Sequence, residues 1–174
     1  MIISKTPLRI SFAGGGTDLP SYYMTGYGAV VNAAIDKYIY VIVKNSFDGK
    51  IHLHTTETEI VDHVDNLKHD ITRACLKHAG ILSGIEITSI SDIPGGTGLG
   101  SSSCYTVGLL NALYAFKRTK DMPLSVIRKN PTTLLRTSPA ILAENACDIE
   151  IHDLLAPIGK QDQYAAAFGG VHYF

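Results

Sequence analysis

The sequence is poor in the residues that announce several classes of protein. It has three cysteines, Cys75, Cys104 and Cys147. An odd number at wide spacing fits neither a disulfide framework nor a C-x-x-C metal site, so reduced thiols in a cytoplasmic setting are expected. Excess charge of either sign is also lacking: 15 Lys and Arg face 16 Asp and Glu, a net charge of −1 with the seven His neutral. The basic residues are scattered, without a run of five, so neither nucleic acid nor a membrane surface is expected as a partner through bulk charge. No stretch approaches the roughly 18 apolar residues of a membrane span. Lys5 and Arg9 break the apolar part of residues 1–16, so a signal peptide is not expected either. Internal repeats and low-complexity segments are absent.

What remains is the material of one packed domain, taken as residues 1–174. With 45% hydrophobic and 18% charged residues, a core can form and disorder is disfavoured. Residues 2–13 read as a strand, with Leu8, Ile10 and Phe12 on one side and Arg9, Ser11 and Ala13 on the other. Gly14 to Gly16 and Thr17-Asp18-Leu19-Pro20 then form a turn. Residues 28–45 read as one or two strands, and 50–54 and 84–91 as further strands. Helical spacing of Leu67, Ile71, Ala74, Cys75 and His78 predicts a helix over 66–79, capped by Asp65 or Asn66 and closed by Gly80. A helix is predicted from the serines at 101–103 to about residue 117, and 119–138 reads as a polar connection. Ser138-Pro139 starts a helix that runs to about His152. A short helix spans 161–168, closed by Gly169-Gly170, and an alternating strand begins at Val171. Strands and helices do not alternate with a βαβ period, so the class is α+β.

The most informative segment is Pro94-Gly95-Gly96-Thr97-Gly98-Leu99-Gly100-Ser101-Ser102-Ser103. Glycines let the backbone approach a ligand and turn N–H groups towards it. The following helix adds its unpaired N–H groups and positive dipole end. Three hydroxyls can reach phosphate oxygens or a metal ion. Together these form a polyphosphate cradle, although a serine-capped helix after a flexible loop has the same composition. It is not a Walker A loop, because Ser101 stands where that motif needs Lys. His52 and His54, two apart on a strand, raise a metal-dependent hydrolase as a rival, but no third ligand is spaced to join them and surface histidines are the plainer reading.

The spelling P-x3-G-L-G-S-S-S resembles the phosphate-binding motif of the GHMP kinases, the family of galactokinase, homoserine kinase and mevalonate kinase. Pro7-Leu8-Arg9 leading to Gly16-Thr17-Asp18 is similar to the family's N-terminal motif, and Gly159-Lys160-Gln161-Asp162-Gln163 to its G-x-x-D-Q segment. The resemblance covers residues 7–170 in order. It implies an α+β GHMP-kinase N-terminal domain, ribosomal protein S5 domain 2-like, with a mixed sheet packed against helices. It implies that Gly95, Gly96, Gly98, Leu99, Gly100, Ser101, Ser102 and Ser103 hold the phosphates of ATP. Ser102 and Glu150 would hold Mg2+, with Glu144 and Asp148 as competing carboxylates. Asp162 would be the catalytic proton acceptor and Arg9 its catalytic partner. Asp18, with Gly15, Gly16 and Thr17, would bind the sugar. Lys160 is a weaker candidate for a substrate phosphate.

Within the family, G-G-G-T-D-L-P and G-K-Q-D-Q-Y-A-A-A-F-G-G are closest to kinases of D-glycero-D-manno-heptose 7-phosphate. The implied reaction is ATP-dependent phosphorylation of that sugar phosphate at the anomeric hydroxyl, giving the 1,7-bisphosphate. Galactokinases carry E-H-T-D where Gly15-Gly16-Thr17-Asp18 stands, so galactose is disfavoured. The alternatives are another sugar-1-kinase, fucose- or galactose-like, or a nucleotide-binding module without turnover. Family members also carry a C-terminal domain with a third glycine-rich motif, which does not occur here. A longer native polypeptide, or a partner copy in a homo-oligomer, is therefore expected.

Overall fold

The computed structural model describes residues 1–122, 125–126 and 136–174. Most of the predicted connection lies outside the described residues. One mixed sheet carries the molecule. Its strands are β1 (Ile2–Ala13), β2 (Val31–Asn45), β3 (Ile51–His54), β4 (Thr58–Val61), β5 (Ile85–Ser91) and β6 (Val171–Tyr173). The order is β1-β2-β5-β3-β4, with β6 also paired to β2. The β3–β5 pair is parallel and the other pairs are antiparallel. Period-two alternation builds it: Val41, Val43, Ile51, Leu53, Ile85 and Ile87 are buried, while Tyr40, Ile42, His52, Glu86 and Thr88 between them are not. The buried side is covered by helices, as expected for an α+β domain with a mixed sheet.

The helices are α1 (Pro20–Tyr23), α2 (Asp70–Ala79), α3 (Ser101–Asp121), α4 (Pro139–Cys147) and α5 (Gln161–Phe168). Helix α3 lies across β1 and β2 and also contacts α2, α4 and α5. It is buried nearly all round, from Ser103 through Phe116, as a central helix must be. Gly108 allows the close approach, since a Cβ there would stand 2.7 Å from Thr6 Oγ1. No helix among the described residues is long and apolar enough to cross a membrane. All three cysteines are free and buried, and burial pushes the Cys104 and Cys147 thiols up to about 12.

Four expectations need correction. The alternation read for β1 does not separate buried from exposed residues, since the neighbours Leu8 and Arg9 are both buried. The β1–β2 register shifts between Pro7 and Arg9. A second shift between Ser11 and Ala13 leaves Phe12 63% exposed. Helix α2 is capped neither by Asp65 nor by Asn66. Its N-cap is His69, whose side chain accepts from the Thr72 N–H, and Val64–Asn66 forms a separate 3-10 turn. The helix begun at Pro139 becomes a π-helical turn over Asp148–Asp153. The predicted stop at Gly80, in the left-handed conformation with φ 68°, is as read.

Candidate active site

Three elements meet at one end of α3. The first is the loop from Pro94 to Gly100, in which Gly96, Gly98 and Gly100 have φ of 79°, 74° and 74°. Only glycine takes that conformation without strain, so every second residue of the loop is specified. Nothing stands within 4 Å of the Cβ position at Gly95, Gly96 or Gly98, so that side of the loop is open. The second element is β1 at Arg9, beside the register shift in its pairing with β2. The third is the first turn of α5, which carries Asp162 and Gln163.

Arg9 ties these together. Its backbone N–H donates to the Leu99 carbonyl at 3.2 Å and its Nη1 to the Gly98 carbonyl at 2.8 Å. Its Nε and Nη2 both lie 2.6 Å from Asp162 Oδ1. Asp162 in turn abuts the end of the loop: a Cβ at Gly100 would meet its Oδ2 at 3.1 Å. A guanidinium has five N–H groups, so two remain for another acceptor.

On the other flank, Ser102 Oγ donates to Glu150 Oε1 at 2.7 Å. Glu150 is 1% exposed, inside the π-helical turn, whereas Glu144 and Asp148 are exposed. Burial thus separates Glu150 from its two competitors. Ser101 Oγ is buried without a partner, and Ser103 is buried too. Pro94, Gly95, Ser101 and Ser102 line one end of a cavity of about 510 Å³ that extends to His69 and Tyr105. A serine oxygen lacking a partner, a serine paired to a buried carboxylate and a helix N-terminus suit a phosphate group with a divalent cation. Magnesium needs only one or two carboxylates when phosphates complete its shell.

The Thr17–Asp18 turn is fastened through its own side chains. Thr17 Oγ1 lies 2.8 Å from the Gly14 carbonyl and 2.9 Å from that of Ala29, and accepts from the Ala29 N–H at 2.9 Å. That hydroxyl fastens the turn. Asp18 Oδ2 accepts from the Gln161 N–H at 2.8 Å, at the start of α5. Burial raises the Asp18 pKa above its ordinary 3.8, against the backbone N–H groups of Gln161 and Lys160, which lower it. Thr17, Asp18 and Lys160 line a second cavity of about 320 Å³, walled by Tyr23, Tyr164 and Phe174. Gly15 faces the Gln161 amide, while Gly16 is open to solvent. Gly159 is needed for a reason sequence reading missed: a Cβ there would stand 2.0 Å from Asp18 Oδ2.

His52 and His54 do not join this site. His52 Nε2 pairs with Asp48 at 2.9 Å and His54 Nδ1 lies 3.2 Å from Thr58 Oγ1. Among the described residues no three His, Cys, Asp or Glu side chains are grouped to hold a metal.

Residues 66–170 match the family model of the GHMP kinases N terminal domain. The chain belongs to the GHMP kinases. It is 32% identical to a D-glycero-alpha-D-manno-heptose 7-phosphate kinase of Campylobacter jejuni, over 99% of this chain and 50% of that protein. It is 31% identical to an L-fucokinase/L-fucose-1-P guanylyltransferase of Bacteroides fragilis, over 67% of this chain and 16% of the other. Among solved structures, a D-glycero-D-manno-heptose 1-phosphate kinase from Bacteroides thetaiotaomicron superposes with a TM-score of 0.79. It is 30% identical and matches 99% of this chain and 55% of its own. The mevalonate kinase of Methanococcus jannaschii, 17% identical with a TM-score of 0.73, shares the fold. This GHMP kinase domain thus spans about half the length of the heptose-phosphate kinases it resembles.

Proposed function

We propose that this domain forms the ATP-binding half of a sugar-phosphate kinase that transfers the γ-phosphoryl group to an anomeric hydroxyl. The favoured substrate is D-glycero-D-manno-heptose 7-phosphate. The observation that carries the reading is Arg9, one side chain bonded both to the glycine loop and to Asp162. Phosphoryl transfer asks chiefly for positioning and charge stabilisation. The open N–H groups of Gly95 to Ser103 cradle the phosphates, and Ser101 Oγ takes the acceptor or donor it lacks. Ser102 and Glu150 are the residues that hold Mg2+, whose chemistry there is to neutralise charge on the phosphate oxygens. The two uncommitted N–H groups of Arg9 face the transferring group while Asp162 accepts the sugar proton. Asp18 and Lys160, in the aromatic-walled cavity, bind the sugar end. A cytoplasmic setting accords with three buried, reduced thiols.

The relatives' names differ in which heptose phosphate they give, and the fucokinase supports a second sugar class. A panel resolves these readings. ATP consumption is measured with heptose 7-phosphate, heptose 1-phosphate, fucose, galactose and mannose, using a polypeptide that joins this domain to the remaining half found in its relatives. The highest kcat/KM is expected with heptose 7-phosphate. Nucleotide binding without consumption on any sugar would instead identify a module without turnover.

A further inference from the structure

Gln163 has no part in the reading above, yet it is completely buried beneath the site. Its Nε2 donates to Glu150 Oε2 at 2.7 Å, while its Oε1 is buried with no partner. A side chain kept only to fill space would be better served by Leu or Met, which carry no acceptor to leave unsatisfied. The amide is present for what it donates. We infer that Gln163 is a positioning residue, holding the Glu150 carboxylate in place for a divalent cation that arrives with the nucleotide phosphates. The inference rests on the proposed role of Glu150 and Ser102.

The geometry around Glu150 supports this. Each carboxylate oxygen receives one hydrogen bond, Oε1 from Ser102 and Oε2 from Gln163. Both donors are neutral, so they orient the carboxylate without cancelling its charge. Because the Ser102 proton is committed to Glu150, the lone pairs of that hydroxyl remain free to meet a cation. The π-helical turn fixes the backbone beneath, with the Glu150 carbonyl accepting from the Ala156 N–H at 2.9 Å. Turns of this π-helical kind are frequent at functional sites. A glutamate at 163 could not replace the amide, since it would offer a second acceptor where a donor is required. Gln163 also follows Asp162 directly in α5. One helical turn therefore sets the proton-accepting carboxylate and, through Gln163, the metal-binding one.

The test is calorimetric titration of a non-hydrolysable ATP analogue at graded Mg2+ and in EDTA. The variants are Glu150→Gln, Gln163→Met and the exchange Glu150→Gln/Gln163→Glu, each checked for folding by thermal melting. Gln163→Met is expected to raise the Mg2+ needed for half-maximal binding by about 10-fold, the low end for partners that orient metal ligands, with affinity in EDTA unchanged. The exchange keeps an amide–carboxylate bond between positions 150 and 163 but moves the carboxylate away from Ser102. It is expected to melt near the wild type and lose the Mg2+ response, which keeps the idea testable if Gln163→Met does not fold. An equal loss with and without Mg2+, or an exchange variant with a wild-type Mg2+ response, overturns the positioning role. If Glu150→Gln itself keeps the wild-type Mg2+ response, the metal role of Glu150 falls first and takes this inference with it.

Discussion

Arg9 and Asp162 form a partly buried pair, and the same guanidinium holds the Gly98 carbonyl. Asp162→Asn keeps the bulk but removes the proton acceptor and the charge that Arg9 faces. Turnover is expected to fall by about 100- to 10,000-fold, the range for losing a general base, with nucleotide affinity little changed. Near-normal turnover would remove Asp162 from the chemistry. Asp18 offers a different test. Burial raises its pKa, so the folded protein binds this proton more tightly than the unfolded chain does. The resulting stabilisation is complete below the ordinary carboxylate range and is lost as pH rises through the elevated folded value. Asn at this position stays neutral and can still accept from the Gln161 N–H. Denaturant titrations at pH 4 and pH 7 should therefore show the Asp18→Asn variant gaining on the wild type at the higher pH; a gain at the lower pH would contradict the assignment. The fold pairs Arg9 with Asp162 and Ser102 with Glu150, four residues that the sequence singles out through its motif spelling. The parts played by Gly159 and Gln163 were not legible there, because their partners Asp18 and Glu150 are brought to them by folding.

At the scale of elements, strands with clean alternation were readable and those shaped by pairing were not. Strand β4 was overlooked because Thr58 and Glu59 give it no apolar period; its partner β3 defines it. The register shift beside Arg9 depends on β2 and is invisible in β1 alone. The start of α2 was misplaced because Asp and Asn are favoured caps and His is not. His69 serves through its Nδ1, which accepts from the Thr72 N–H at 3.3 Å. Removing that cap by His69→Ala is expected to lower stability by about 1 kcal/mol, the usual scale for an N-cap. Equilibrium urea unfolding measures it, and an unchanged midpoint would show that the cap contributes nothing.

For the whole molecule, the decisive feature is the shared use of β2. Its first residues, Val31 to Ala33, pair with β6, and Ile39 to Asn45 pair with β5. On the opposite edge Val31 also faces Ala13 of β1, so β6, from a distant part of the sequence, joins the β1–β2 pair at one residue. The β6 pairing is expected to form late in folding, because distant segments must be brought together before any contact rewards them. Helix α5, with Asp162 and Gln163, lies immediately before β6 in the sequence. Amides of β6 should exchange with deuterium ahead of those of β5 in the native state, as the less stable unit opening first. In refolding, helical circular dichroism should recover before nucleotide binding does. Simultaneous recovery would mean that the β6 seam closes with the core. The domain would thus acquire its ligand competence at the end of its folding time course, as the clock that marks completion.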